Sequence, residues 1–108
     1  MNIEDLREYA LSLPGTEEAM PFGDEVLVFK TNGKIFLLTN IYQKPVQFNV
    51  KCDPAKAIKL REEYESVIPG YHMNKKHWNT VIADGTINNK MLKQFISDSY
   101  NLVQKTKK

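Results

Sequence analysis

The sequence predicts an α/β two-layer (α+β) fold: a single antiparallel sheet covered by helices, in the order α-β-β-β-α-β-β-α. Three observations carry this. Apolar residues recur at helical spacing at both ends of the chain, Asn32-Gly33 separates two apolar runs, and residues 46–51 alternate strictly between apolar and polar.

Asn2 is placed to cap a first helix, with Asp5 three residues later and Ile3, Leu6, Ala10 and Leu13 on one face. Leu13-Pro14-Gly15 ends it, and residues 16–24, acidic and interrupted by Pro21 and Gly23, read as a connection. Residues 25–31 and 34–39 flank Asn32-Gly33, the pair that supplies positive φ at both centres of a type I′ turn. A two-residue turn sets Phe29 opposite Phe36 and Leu27 opposite Leu38 toward the core, with Val28 opposite Leu37 behind. Val46, Phe48 and Val50 then alternate with Gln47, Asn49 and Lys51, a strand with one wet face.

Asp53-Pro54 opens a second helix running to about residue 65, with Ala57, Leu60 and Tyr64 as its apolar face. Segments 68–72 and 77–83 form a second hairpin around Met73-Asn74-Lys75-Lys76, with Asn74 as the left-handed residue and His72 near His77 at the loop base. From about Asn89 a last helix presents Leu92, Phe95, Ile96, Ser99 and Val103 on one face, Ser99 bonding back one turn.

The chain of 108 residues is the length of one domain, 1–108, with a single core. Its 42% apolar and 26% charged composition is that of a water-soluble protein, and no run approaches the ~20 apolar residues of a membrane span. The acidic N-terminus does not resemble a secretory signal, and Cys52 has no disulfide partner within the chain, so a reducing, cytoplasmic location is expected. Net charge is +2, but it is segregated. Residues 1–25 hold seven acids against Arg7, whereas residues 26–108 hold fourteen Lys and Arg against six acids. That basic body suits a polyanionic partner.

The stretch Pro69-Gly70-Tyr71-His72-Met73-Asn74-Lys75-Lys76-His77-Trp78-Asn79-Thr80-Val81 gathers both histidines and the lone tryptophan. Lys75 and Lys76 at a hairpin tip are suited to phosphates, with Tyr71, His72, Asn74 and His77 beside them; Lys30 and Lys34 would form a second basic wing. The plain alternative is that charged tips keep hairpins soluble. Gln47, Asn49 and Lys51 either extend a binding face or form a solvated row. Trp78 starts a strand and is expected as a core anchor.

A zinc site on His72 and His77 would need a further ligand from Asp84, Asp53 or Cys52, and the spacing completes no known pattern, so no metal is expected. Cys52 precedes a helix N-terminus, where a thiol can be activated, but the alternation turns it toward the core as an inert buried residue. No catalytic residue is assigned and no cofactor is required.

Four blocks resemble the MmcQ/YjbR family of small bacterial proteins: Leu13-Pro14-Gly15-Thr16-Glu17-Glu18 with Pro21-Phe22-Gly23; Gly33-Lys34-Ile35-Phe36; the whole of residues 69–81; and Ser99-Tyr100-Asn101-Leu102-Val103. The resemblance implies an α/β two-layer fold similar to secretion chaperones and to "double wing" domains, and with the latter a DNA-binding role. Where the family often carries proline before its last helix, this chain has Asn88-Asn89, whose capping asparagine does the same work. The expected function is binding of nucleic acid, duplex DNA foremost, through a basic hairpin wing. Its alternatives are a protein-interaction adaptor that docks a partner on a sheet face or edge, and a small-ligand or catalytic pocket around Tyr71, His72, His77 and Trp78.

Overall fold

The computed structural model describes residues 1–70 and 73–105. The elements are α1 (Ile3–Ser12), β1 (Glu17–Ala19), β2 (Val26–Thr31), β3 (Lys34–Asn40), β4 (Gln47–Lys51), α2 (Pro54–Glu63), β5 (Val67–Pro69), β6 (Trp78–Ile82) and α3 (Asn89–Lys105). The expected elements follow in the expected order. The acidic connection adds one more, since Glu17–Ala19 pairs antiparallel with β2 as a short edge strand. The six strands form one antiparallel sheet in the order β1-β2-β3-β4-β6-β5.

Each helix starts where its capping side chain dictates. The Asp5 N–H donates to Asn2 Oδ1 at 2.7 Å in a capping box, and Asp53 accepts from the Lys56 N–H ahead of Pro54. The Met91 N–H donates to Asn88 Oδ1 at 2.8 Å, so asparagine does open the last helix.

One face of the sheet carries the helices. Leu27, Phe29, Phe36, Leu37, Phe48, Val50 and Val81 meet Leu6 and Ala10 of α1 and Leu92, Phe95, Ile96 and Val103 of α3 in a single buried cluster, against which Leu60 and Tyr64 of the α2 region pack. The ring of Tyr100 meets that of Phe36 edge to face at 5.4 Å. The opposite face is bare of helices among the described residues. Val28 and Leu38 are buried there, outside the core cluster, and the Gln47, Asn49 and Lys51 row is half-buried rather than fully solvated.

The first hairpin has the expected turn, with φ of 54° at Asn32 and 76° at Gly33. Its register departs from the expectation. Lys30 faces Ile35, but a bulge between Phe29 and Lys30 sets Phe29 opposite Leu37, Val28 opposite Leu38 and Leu27 opposite Thr39. Phe36 is left without a partner on β2, and Phe36 and Leu37 both enter the core.

Ser99 shows how the sheet is held beside this bulge. Its hydroxyl does not bond back within α3. It donates to the Phe36 carbonyl at 2.6 Å and accepts from the Lys51 N–H at 2.8 Å, bridging β3 and β4 one step beyond their last paired residues, Leu37 and Val50. Ser99 is fully buried, so the helix supplies a bond that the ladder does not make.

At the far end of β6, Asp84 accepts from the Thr86 N–H and hydroxyl and from the Ser66 hydroxyl. These bonds hold its carboxyl below the usual carboxylate range, those of Thr86 foremost. The depressed pKa contributes stability that is complete above the unfolded value near ~4 and is lost as pH falls through the folded one. Asp84→Asn is therefore expected to flatten the acid limb of a pH-dependent unfolding curve, as followed by circular dichroism.

Candidate nucleic-acid interface

The register places both hairpin tips at one end of the sheet. Lys34 begins β3, Lys51 ends β4 and lies opposite Trp78, and Trp78 begins β6. The Asn32-Gly33 turn and the described part of the second loop, residues 73–77, therefore project in the same direction, on either side of β4. Three strand spacings separate the hairpin centres, about 14 Å at ~4.8 Å per strand. Lys34, Lys75 and Lys76 are exposed on these tips, Lys30 is half-buried on the strand leading to the first, and Lys51 is half-buried at the end of β4 between them.

Asn74 shapes the second loop, though not by a left-handed backbone. Among the described residues that conformation is recorded for Asn32 and four glycines. Instead the Asn74 side chain accepts from the Lys76 N–H at 2.9 Å, and its carbonyl accepts from the His77 and Trp78 N–H groups at 3.2 and 3.0 Å. Arg61, on α2, fixes the loop from beneath. Its Nε donates to Asn79 Oδ1 at 2.7 Å, and its Nη2 donates to the carbonyls of Lys75 and Trp78. One guanidinium thus braces both the strand and the tip that carries the lysines.

His77 is half-buried, and its carbonyl accepts from the Cys52 N–H at 2.7 Å. Tyr71 and His72 lie outside the described residues. Trp78 is not the core anchor expected of it. It is half-buried on the helix-free face beside Lys51, outside the core cluster. Its close neighbour is Gly70, where an added Cβ would lie 2.8 Å from the Trp78 Cβ and 3.0 Å from its carbonyl oxygen. Gly70→Ala is expected to cost about 1–3 kcal/mol by forcing the hairpin apart, read as a lower unfolding midpoint with a changed Trp78 emission.

The zinc alternatives do not assemble among the described residues. Asp84 is at the opposite end of β6 from His77, and no group of three His, Cys, Asp or Glu side chains is placed to hold a metal ion. Burial pushes the Cys52 thiol up, away from the thiolate a nucleophile needs.

Acidic groups border the basic end. Glu17 lies opposite Lys30 across the β1–β2 pair, and Glu18 is engaged by Arg7 at 2.6 Å. Lys30 thus has a carboxylate across the strand pair, whereas no acid pairs with Lys75 or Lys76 among the described residues.

The helix-free face also carries a cleft of about 650 Å³. It runs from Phe22 in the β1–β2 connection, over Leu38, Asn49 and Thr80, to Met73 beside the basic tip. Of the residues considered from the sequence for a histidine-centred pocket, His77 and Trp78 do not line it, and Tyr71 and His72 lie outside the described residues.

A family model described as YjbR matches residues 11–102. The chain belongs to the YjbR family. It is 44% identical to the uncharacterized protein YbdF of Escherichia coli O157:H7 over 100 residues, covering 93% of this chain and 82% of that one. The crystal structure of Deinococcus radiodurans protein DR2400, domain DUF419, superposes with a TM-score of 0.93 at 41% identity, covering 97% of this chain and 80% of that one. A crystal structure from Pseudomonas syringae gives a TM-score of 0.81 at 28% identity, covering 94% and 98%.

Within this YjbR-family chain, sequence reasoning missed Arg61 and the cleft. Arg61 stands beside Glu62 and Glu63 and reads as one more solvated charge; only the folded loop shows its partners. The cleft needs the β1–β2 connection and the Met73 loop to rise on either side of the sheet, which no local pattern encodes.

Proposed function

We propose that this YjbR-family protein binds duplex DNA in the cytoplasm, contacting phosphates with two wings: the Lys75-Lys76 loop and, more weakly, the Asn32-Gly33-Lys34 turn. The supporting observation is that the two tips leave the same end of the sheet. Their separation of about 14 Å, from strand spacing, is comparable to the ~12 Å width of a major groove, so the wings suit phosphates on its two sides. His77, Asn74 and Lys30 lie close enough to the tips to assist, with Tyr71 and His72 adjacent in sequence. No cofactor enters this reading.

Edge docking of a partner peptide has less support. Both edge strands are three residues long, β1 carrying Glu17 and Glu18 and β5 ending in Pro69, features that blunt strand addition.

With about three to five phosphate contacts, the logarithm of the affinity should fall against the logarithm of salt with a slope of about −3 to −5. A fluorescence-anisotropy titration of labelled duplex between about 50 and 200 mM salt tests this. Absence of binding at the lowest salt, or binding indifferent to salt, would overturn the proposal.

A further inference from the structure

The cleft on the helix-free face has a chemistry the wings do not use. Among the described residues that line it, none is ionisable. Gln43, Gln47 and Asn49, three residues with carboxamide side chains, line it together with Phe22, Leu38 and Met73, which supply apolar surface. Asn49 Oδ1 accepts from the Thr80 hydroxyl, which fixes its amide orientation, and among the described residues no hydrogen bond takes the side-chain N–H groups of these three amides. Phe22 is 62% exposed, a high value for an aromatic ring at the edge of a cleft.

These features narrow the occupant. A charged ligand would meet no counter-charge among the described lining residues, and a lipid chain would strand the three amides. An extended peptide gains its affinity from main-chain bonds, and this is a sheet face whose backbone groups are spent within the ladder. What remains is a neutral, flat ligand with apolar faces and a donor-acceptor edge. Carboxamides match such an edge two bonds at a time, as Asn and Gln do with adenine, and an exposed ring offers a stacking surface. We infer that the cleft is a binding site for a nucleobase, either on a free nucleoside-like molecule or on an unpaired nucleotide of a strand. The inference does not depend on the wings, because no lysine lines the cleft among the described residues.

The test is a titration of the ¹⁵N-labelled full chain with adenosine, guanosine, cytidine and uridine, followed by NMR at about 200 mM salt, where phosphate-driven binding is suppressed. At least one nucleoside is expected to shift the side-chain amide signals of Gln43, Gln47 and Asn49 saturably, with a Kd of about 1 mM or tighter. Phe22→Ala and Asn49→Leu should each weaken it at least about fivefold, and Lys75→Ala with Lys76→Ala should leave it unchanged. Should Asn49→Leu not fold, Phe22→Ala, a change at an exposed ring, decides alone. A single-stranded oligonucleotide in a parallel titration separates the sources. Tighter saturation of the same amides by the strand assigns the site to an unpaired nucleotide, and equal or weaker saturation assigns it to a free nucleoside. No saturable shift with any of the four nucleosides, or shifts that persist in the variants that fold, would overturn the inference.

Discussion

Ser99→Ala is expected to lower the free energy of unfolding by about 2–4 kcal/mol, because it leaves two backbone groups without a partner where water does not reach. The groups are the Phe36 carbonyl and the Lys51 N–H, both served by one hydroxyl on a fully buried residue. For a domain of this size that loss corresponds to a fall in Tm of roughly 10–20 °C. Chemical denaturation of wild type and variant measures it directly. A change under about 0.5 kcal/mol, the range of an ordinary surface substitution, would mean that β3 and β4 close on each other once the hydroxyl is gone. It would remove Ser99 from the account of how the bulged hairpin is held.

The second large effect concerns binding. Lys75→Ala combined with Lys76→Ala is expected to reduce the salt slope for duplex DNA by about two, one for each phosphate no longer neutralised, and to weaken binding almost uniformly across sequences. The fold should be untouched, since both side chains are exposed and the loop is held by the Asn74 side chain and the Arg61 guanidinium rather than by the lysines. Anisotropy titrations of both proteins, with circular dichroism as the folding control, give the slopes. An unchanged slope would mean that the lysines serve only to keep the hairpin soluble.

Features that a few neighbouring residues decide could be read from the sequence. Asn32-Gly33 announces its turn because few other pairs tolerate two positive φ values in succession. Asn2, Asp53 and Asn88 start helices because each side chain reaches a backbone N–H three residues ahead. The alternation of residues 46–51 specifies a strand with one buried face, as found.

Features settled by distant residues could not. The bulge at Phe29 and Lys30 shifts a register that the turn alone would have fixed, and it coexists with a bridging hydroxyl 63 residues away from Phe36 in the chain. Ser99 looked like a local back-bonder because its sequence neighbours say nothing about the strands beneath it. Trp78 looked like a core residue because tryptophan is so often buried, yet its position in β6 puts it on the face without helices. At the candidate interface the lysines were legible as a cluster. The brace beneath them and the cleft beside them became visible only with the fold.

The central claim is that the two hairpin tips form one DNA-binding end. Backbone amide shifts of the ¹⁵N-labelled chain, recorded as unlabelled duplex is added at low salt, test it most directly. The account predicts that the largest changes fall on residues 32–34 and 73–77 and fade as salt is raised, with the outward surfaces of α1 and α3 silent. Changes centred on those helices, or none at a salt where wild type is expected to bind, would contradict it.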